Sequence, residues 1–203
     1  MTAGLAVTYR HEWGIGWIAA RPAWMLRASH ALAHDGGVWL VDPVDGEGLD
    51  GRLAELGRVR GVIQLLDRHG RDCAALAARH GVPLLRTPFD RVPGAPFEPV
   101  AVLHRPGWSE TALWWPGRRA LVVPESLGTA PYYPAPGEPL GVHPLLRLTP
   151  PRTLLGFDAA HLLTGHGAPL EGPDVGERVR RAIDRSRRDI PRWLAGLPAA
   201  GRR

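Results

Sequence analysis

The sequence contains no lysine. Its positive charge rests on arginine alone, 25 residues against 20 Asp and Glu, for a formal net charge of +5. Arginine makes bidentate contacts with phosphate and carboxylate, so the composition allows a nucleic-acid partner. Aromatic residues are not interleaved with the arginines as stacking platforms require, and solvated guanidiniums are the simpler reading. Cysteine is nearly absent too. Cys73 stands alone in 203 residues, which excludes an intramolecular disulfide and fits a reducing compartment. No apolar run reaches the ~18 residues of a membrane span, and the N-terminus lacks the apolar core of a signal peptide. A cytoplasmic protein with no membrane partner is expected.

Hydrophobic content of 44% and charged content of 22% are ordinary for a globular chain. Gly 25 and Pro 21 are high, so many turns are expected. No linker divides residues 1–203, and one domain is expected. The apolar runs Trp17–Ala20 and Trp24–Ala28 read as strands. Asp35-Gly36-Gly37 between Ala31–His34 and Val38–Val41 is a tight-hairpin signal. Leu49, Leu53 and Leu56 lie at helical spacing before Gly57. A strand Val62–Leu66, a polar loop, a helix Cys73–His80 stopped by Gly81, and a strand Pro83–Leu85 form a β-loop-α-β unit.

The second part repeats this style. Val100–Leu103 reads as a strand, and Thr111–Trp115 and Ala120–Val123 bracket the turn Pro116–Arg119. The Pro-rich segment Thr129–Pro150 is expected to be an irregular surface loop, and Leu154–Ala160 a short helix. His161–Thr164 is a buried strand leading to Gly165-His166-Gly167. A last helix starts at Asp174 with Glu177 in capping-box position, carries Val175, Val179 and Ile183 on one face, and ends or kinks at Pro191.

The chemistry is concentrated between Asp67 and Asp72, where Asp67, His69, Arg71 and Asp72 alternate at the end of a buried strand. α/β proteins place functional groups at such strand ends. Together with the hairpin Ser29–Pro43, the turn Pro106-Gly107-Trp108-Ser109, Val123-Pro124-Glu125-Ser126 and Leu163-Thr164-Gly165-His166-Gly167, this loop resembles the metallo-β-lactamase fold over nearly the whole chain. The resemblance implies an α/β protein built as a four-layer αββα sandwich, and a hydrolase-like activity whose substrate it does not supply.

The resemblance also implies a dinuclear zinc site, and here the ligands depart from it. Asp67 stands where a His ligand belongs, while His69 keeps its ligand. Arg71 replaces an Asp, Asp72 a His, Trp108 a His, and Glu125 the bridging Asp. His166 is kept. A guanidinium has no lone pair for a metal. One reading therefore has no cofactor: Arg71 balances the carboxylates Asp67, Asp72 and Glu125 in a salt-bridge network. The other keeps one zinc or other transition metal on His69 and His166 with one or two carboxylates from Asp67, Asp72 and Glu125, and turns Arg71 outward toward an anionic substrate.

By the first reading the chain is a non-catalytic binding protein for a small molecule, and by the second an altered hydrolase. Ser29, His30 and Trp108 would line the pocket beside Glu125, with Trp108 filling the space of a lost ligand. His104 is expected to be structural. Cys73, at a helix start, is a conceivable nucleophile, although a small buried thiol is the simpler reading. His11, His34, His80, His143 and His161 have no evident partners and are expected to be structural or exposed; the remaining tryptophans are expected to pack core and rim. A third reading, nucleic-acid binding through Arg178–Arg192, is opposed by Asp184 and Asp189 within that segment. The Trp- and Tyr-bearing loops offer a surface for a homodimer.

Overall fold

The computed structural model describes residues 4–19 and 25–200. Its first sheet has six strands in sequence order: β1 (Leu5–His11), β2 (Gly14–Ala19), β3 (Ala28–His34), β4 (Gly37–Val41), β5 (Arg58–Gln64) and β6 (Leu84–Arg86). The first four are antiparallel, while β4, β5 and β6 run parallel. Helices α1 (Leu49–Leu56) and α2 (Cys73–His80) supply the crossovers that parallel pairing needs. The second sheet contains β7 (Glu98–Arg105), β8 (Trp108–Trp115), β9 (Ala120–Val123), β12 (His161–Thr164) and β13 (Leu170–Glu171), in the order β13-β12-β9-β8-β7. A separate two-stranded ribbon pairs β10 (Leu127–Gly128) with β11 (Gly141–Val142). Helices α3 (Val175–Arg185) and α4 (Ile190–Ala200) close the described chain.

Side-chain alternation produces the layering. Successive strand residues face opposite sides of a sheet. In β4, Val38 and Leu40 pack with Leu49, Leu53, Cys73 and Leu76 beneath the helices. Trp39 and Val41 turn the other way, joining Leu113, Trp115 and Val122 between the two sheets. In β9 and β12, Val122 and Leu163 face that inter-sheet core, while Leu121, Val123 and Leu162 pack against Val175, Val179 and Ile183 of α3. The layers run α1/α2, first sheet, second sheet, α3: an αββα sandwich.

The β3–β4 hairpin forms where expected, with Asp35 (φ 47°) and Gly36 (φ 69°) both left-handed, as a tight hairpin turn requires. Helix α2 has the expected bounds, and Gly81 (φ 62°) caps it. Other expectations need correction. The Leu154–Ala160 helix is only a 3-10 turn, Arg152–Leu154, and the left-handed Gly156 (φ 95°) keeps it from continuing. The segment 129–150 is no surface loop, because Ala130, Tyr133, Ala135, Leu140, Val142 and Leu146 are buried.

The capping box at Asp174 does not form. Asp174 makes no side-chain cap and instead accepts Arg178 Nε at 2.8 Å. Pro191 does not end α3, which stops at Arg185; it lies in the first turn of α4, where its missing N–H costs little. In the run 24–28, Trp24 lies outside the described residues, as does Ala20 of the run 17–20, and only Ala28 belongs to a strand. Among the described residues, no helix is long and apolar enough to cross a membrane.

Candidate functional site

The two sheets meet at the loop that comes after β5. Beyond Gln64 the chain leaves the first sheet and reaches β8 of the second: Thr111 N–H donates to Leu65 O, Asp67 N–H donates to Ser109 O, and Leu66 bridges Glu110. On the other side, Ala28 N–H donates to Gly165 O and Arg27 bridges His166. His69 and His166, far apart in sequence, are thereby brought face to face.

Three ligand atoms converge there. His69 Nε2 and His166 Nε2 are 3.3 Å apart, and each lies 3.0 Å from Glu125 Oε2. His69 and His166 are buried and Glu125 is nearly so. On the far side of this carboxylate, His143 Nε2 lies 3.1 Å from Oε1.

The outer nitrogens of these rings determine what the inner ones present. His69 Nδ1 lies 2.8 Å from the Asp42 carboxylate and donates to it. His166 Nδ1 lies 2.8 Å from the Met25 carbonyl, which can only accept. Tyr132 Oη stands 3.0 Å from the same nitrogen. In the neutral form, with its proton on Nδ1, each of these two rings directs its Nε2 lone pair at Glu125 Oε2. His143 is the reverse: its Nδ1 accepts Leu145 N–H, so Nε2–H donates to Glu125 Oε1. Oε1 has its donor, whereas Oε2 faces two acceptors.

Burial opposes the Glu125 charge, but the imidazoles of His143, His166 and His69 hold its pKa well below the ordinary carboxylate range. Burial lowers the His166 pKa, with Glu125 pulling against it. Where those rings are neutral, an ionised carboxylate beside their lone pairs calls for a cation. Tetrahedral donors about 2.0–2.1 Å from a zinc ion stand about 3.3 Å apart, so the observed spacing suits a single ion. Among the described residues, His69, Glu125 and His166 are one of two groups of three metal-ligating side chains within 4.8 Å of one another.

Solved structures share this architecture at low identity. The metallo-β-lactamase from Erythrobacter litoralis superposes with a TM-score of 0.62 at 10% identity, covering 93% of this chain and 92% of that one. TMB-1 gives 0.59 at 12% identity over 91% of this chain and 98% of its own. FIM-1 from Pseudomonas aeruginosa, in its mono-zinc form, gives 0.56 at 10% identity over 92% and 97%. The chain has the metallo-β-lactamase fold. No protein-family model matches the sequence, and no curated protein sequence does.

Within the metallo-β-lactamase fold, the altered loop is arranged differently from expectation. Arg71 makes no salt bridge to Asp67, Asp72 or Glu125, nor does it turn outward. Its guanidinium donates to three backbone carbonyls: Ala28, Asp42 at 2.8 Å and Gly165 at 3.0 Å. It ties the ends of β3, β4 and β12 together beneath the site. Burial pushes its pKa down, with Asp42 pulling back up. Asp67 and Asp72 are not part of the site. Asp67 points to solvent and accepts Ser109 N–H, and Asp72, ahead of α2, accepts Asp45 N–H at 2.8 Å. The left-handed Arg71 (φ 36°) turns the chain just before Asp72.

Ser29 and His30 are buried and serve the framework. Ser29 Oγ donates to Asp42 O and accepts Val44 N–H; His30 lies between Tyr9 Oη and Thr164 O, both at 3.2 Å. His104 is exposed beside Ser109 Oγ. Cys73 is no nucleophile, because burial pushes its thiol pKa up to about 12. Trp108 does border the site, its ring edge-on to His143 at 4.9 Å.

Trp108 also reveals a residue that sequence reasoning missed. Its Nε1–H donates to Glu110 Oε2 at 2.9 Å, while Glu110 Oε1 accepts Ser126 N–H at 2.8 Å and Glu125 N–H at 3.3 Å. Glu110 is fully buried. Burial raises its pKa, and these donors work against the rise. It shapes the turn that aims Glu125. Asp42 and His143 were missed as well. For Asp42 a signal existed, since its carboxylate ends a strand beside the loop; His143 lies in the Pro-rich segment and had none.

Proposed function

We propose that this chain is a hydrolase on the metallo-β-lactamase scaffold that works with one divalent metal ion, zinc being the best match, held by His69, Glu125 and His166. The observation that carries this reading is the set of three acceptors around one point, with His69 and His166 fixed as lone-pair donors by Asp42 and Met25. A metal-free salt-bridge network is disfavoured because the Arg71 guanidinium makes its three hydrogen bonds to backbone carbonyls and none to a carboxylate. Its buried charge also disfavours a second dication nearby. FIM-1, which shares the fold, has been obtained in a mono-zinc form, so a single ion on this scaffold has a precedent.

When bound, such an ion polarises a carbonyl and acidifies water. The chain's own groups orient and enclose it. Asp42 fixes the His69 ring and Met25 O the His166 ring, the outer-shell contacts that set ligand orientation. His143 holds the Glu125 carboxylate, and the Tyr133 hydroxyl, which donates to the backbone carbonyl of Glu125 at 3.0 Å, holds its main chain. Trp108 and Tyr133 exclude water from that flank.

Elemental analysis and zinc titration test the reading, paired with a panel of ester, β-lactam and phosphodiester substrates. Zinc binding that falls by one equivalent in His166→Ala, with turnover abolished by chelator and restored by zinc, is expected. No zinc retained at micromolar concentration overturns it.

A further inference from the structure

A second convergence of metal-ligating groups lies at the opposite end of β12. His161 opens that strand, and His166 lies just past its other end. His161 and Glu171 are paired residues of the antiparallel β12–β13 ladder. His11, the last residue of β1, reaches across from the first sheet. His11 Nε2 lies 2.7 Å from Glu171 Oε1, and His161 Nδ1 lies 3.7 Å from the same oxygen. The ligand atoms of all three lie within 4.8 Å of one another.

The rings are held in place by Trp13. It stacks on His11 at 4.7 Å and 12°, and meets His161 edge-on at 5.1 Å and 73°. Trp13 is itself buried against Trp115. His161 Nδ1 is shielded from solvent and has no hydrogen-bond partner. A buried polar atom is normally paired, and the exception here points at a carboxylate just beyond hydrogen-bond reach. Two imidazoles and a carboxylate on rigid strands are a donor set for zinc and similar transition metals. The Glu171 side chain is 40% exposed, so an ion has an entry path and solvent can complete its coordination.

We propose that His11, His161 and Glu171 form a second divalent-metal site, which clips β1 of the first sheet to β12 and β13 of the second. It shares no residue with the His69–Glu125–His166 group and does not depend on it. An ion there bridges the two sheets where no backbone pairing joins β1 to β13, so it acts on stability.

Zinc titration of the full chain tests this, with the first site disabled by His166→Ala. That variant is expected to keep one equivalent of zinc, and to lose it when His11→Ala or Glu171→Gln is added. Glu171→Gln keeps an acceptor for His11, so its folding is secure. In the otherwise unmodified chain, Glu171→Gln is expected to reduce bound zinc by one equivalent and to abolish the part of the zinc-induced rise in Tm that survives in His166→Ala. Zinc content and Tm unaffected by His11→Ala and Glu171→Gln overturn the proposal and leave a plain imidazole–carboxylate hydrogen bond. Failure of the first site reads differently, as no loss of zinc in His166→Ala.

Discussion

The Asp42 carboxylate lies 2.8 Å from His69 Nδ1, and this contact decides which nitrogen of His69 faces Glu125. Its other oxygen accepts Leu65 N–H at 2.8 Å. Asp42 therefore joins the end of β4, the chain leaving β5 and the metal-facing imidazole. Asp42→Asn keeps the acceptor for Leu65 but turns an amide N–H toward His69, so the ring proton moves to Nε2 and the lone pair is lost. Zinc affinity is expected to fall about 10–100-fold with the fold intact. Competition against a chromogenic chelator measures it.

Glu125→Gln separates the metal from the fold. The amide can donate to the Nε2 lone pairs of His69 and His166, which the carboxylate cannot. Bound zinc is expected to fall by one equivalent while the Tm in chelator stays level or rises. A large fall in the metal-free Tm would show that the carboxylate is instead held by protonated histidines.

Arg71 is a structural tie. Arg71→Met leaves the carbonyls of Ala28, Asp42 and Gly165 without a donor, at about 1–3 kcal/mol for each unsatisfied buried group. A loss of more than ~3 kcal/mol in urea unfolding is expected. Arg71→Asp places a carboxylate against three carbonyl oxygens, so it is expected to destabilise further and to add no zinc beyond that of the unmodified chain. An additional zinc equivalent in Arg71→Asp, over the unmodified chain, would refute this role.

His30 gives the fold an acid sensitivity. Burial lowers its pKa from 6.5 to about 4, with the Thr164 carbonyl opposing. Below 6.5 the unfolded chain takes up a proton that the folded chain refuses, so stability is full above 6.5 and declines as pH falls toward 4. The contribution is ~3 kcal/mol across that window. His30→Gln, which keeps a donor for Thr164, is expected to flatten the decline in Tm between those pH values. An unchanged slope would rule out His30 as its source.

The layered architecture was legible because it rests on local periodicities. Val38 and Leu40 alternate with Trp39 and Val41, and Val175, Val179 and Ile183 recur at helical spacing; each pattern can bury its apolar side in only one way. Asp35-Gly36 specified its hairpin through two positive φ angles. The errors came where burial is non-local. The segment 129–150 reads as a loop because prolines break its periodicity, yet Tyr133 is fully buried beneath Glu125.

His69, Glu125 and His166 were identifiable one by one, because strand ends and their turns are visible in the sequence. What their neighbours do was not. Asp67, Arg71 and Asp72 look equivalent in a row of alternating polar residues, but Asp67 turns to solvent beside Ser109, Asp72 to the Asp45 amide and Arg71 to three backbone carbonyls. His143 reaches Glu125 from a ribbon with no sequence signature, and Glu110 looks like any strand carboxylate until its burial is known. The sequence alone determined which elements form and which of their faces are apolar, since these follow from spacing along one chain. Only the tertiary structure decided which nitrogens of His69 and His166 face Glu125, because that choice belongs to Asp42 and Met25, residues far from them in sequence that the fold brings close.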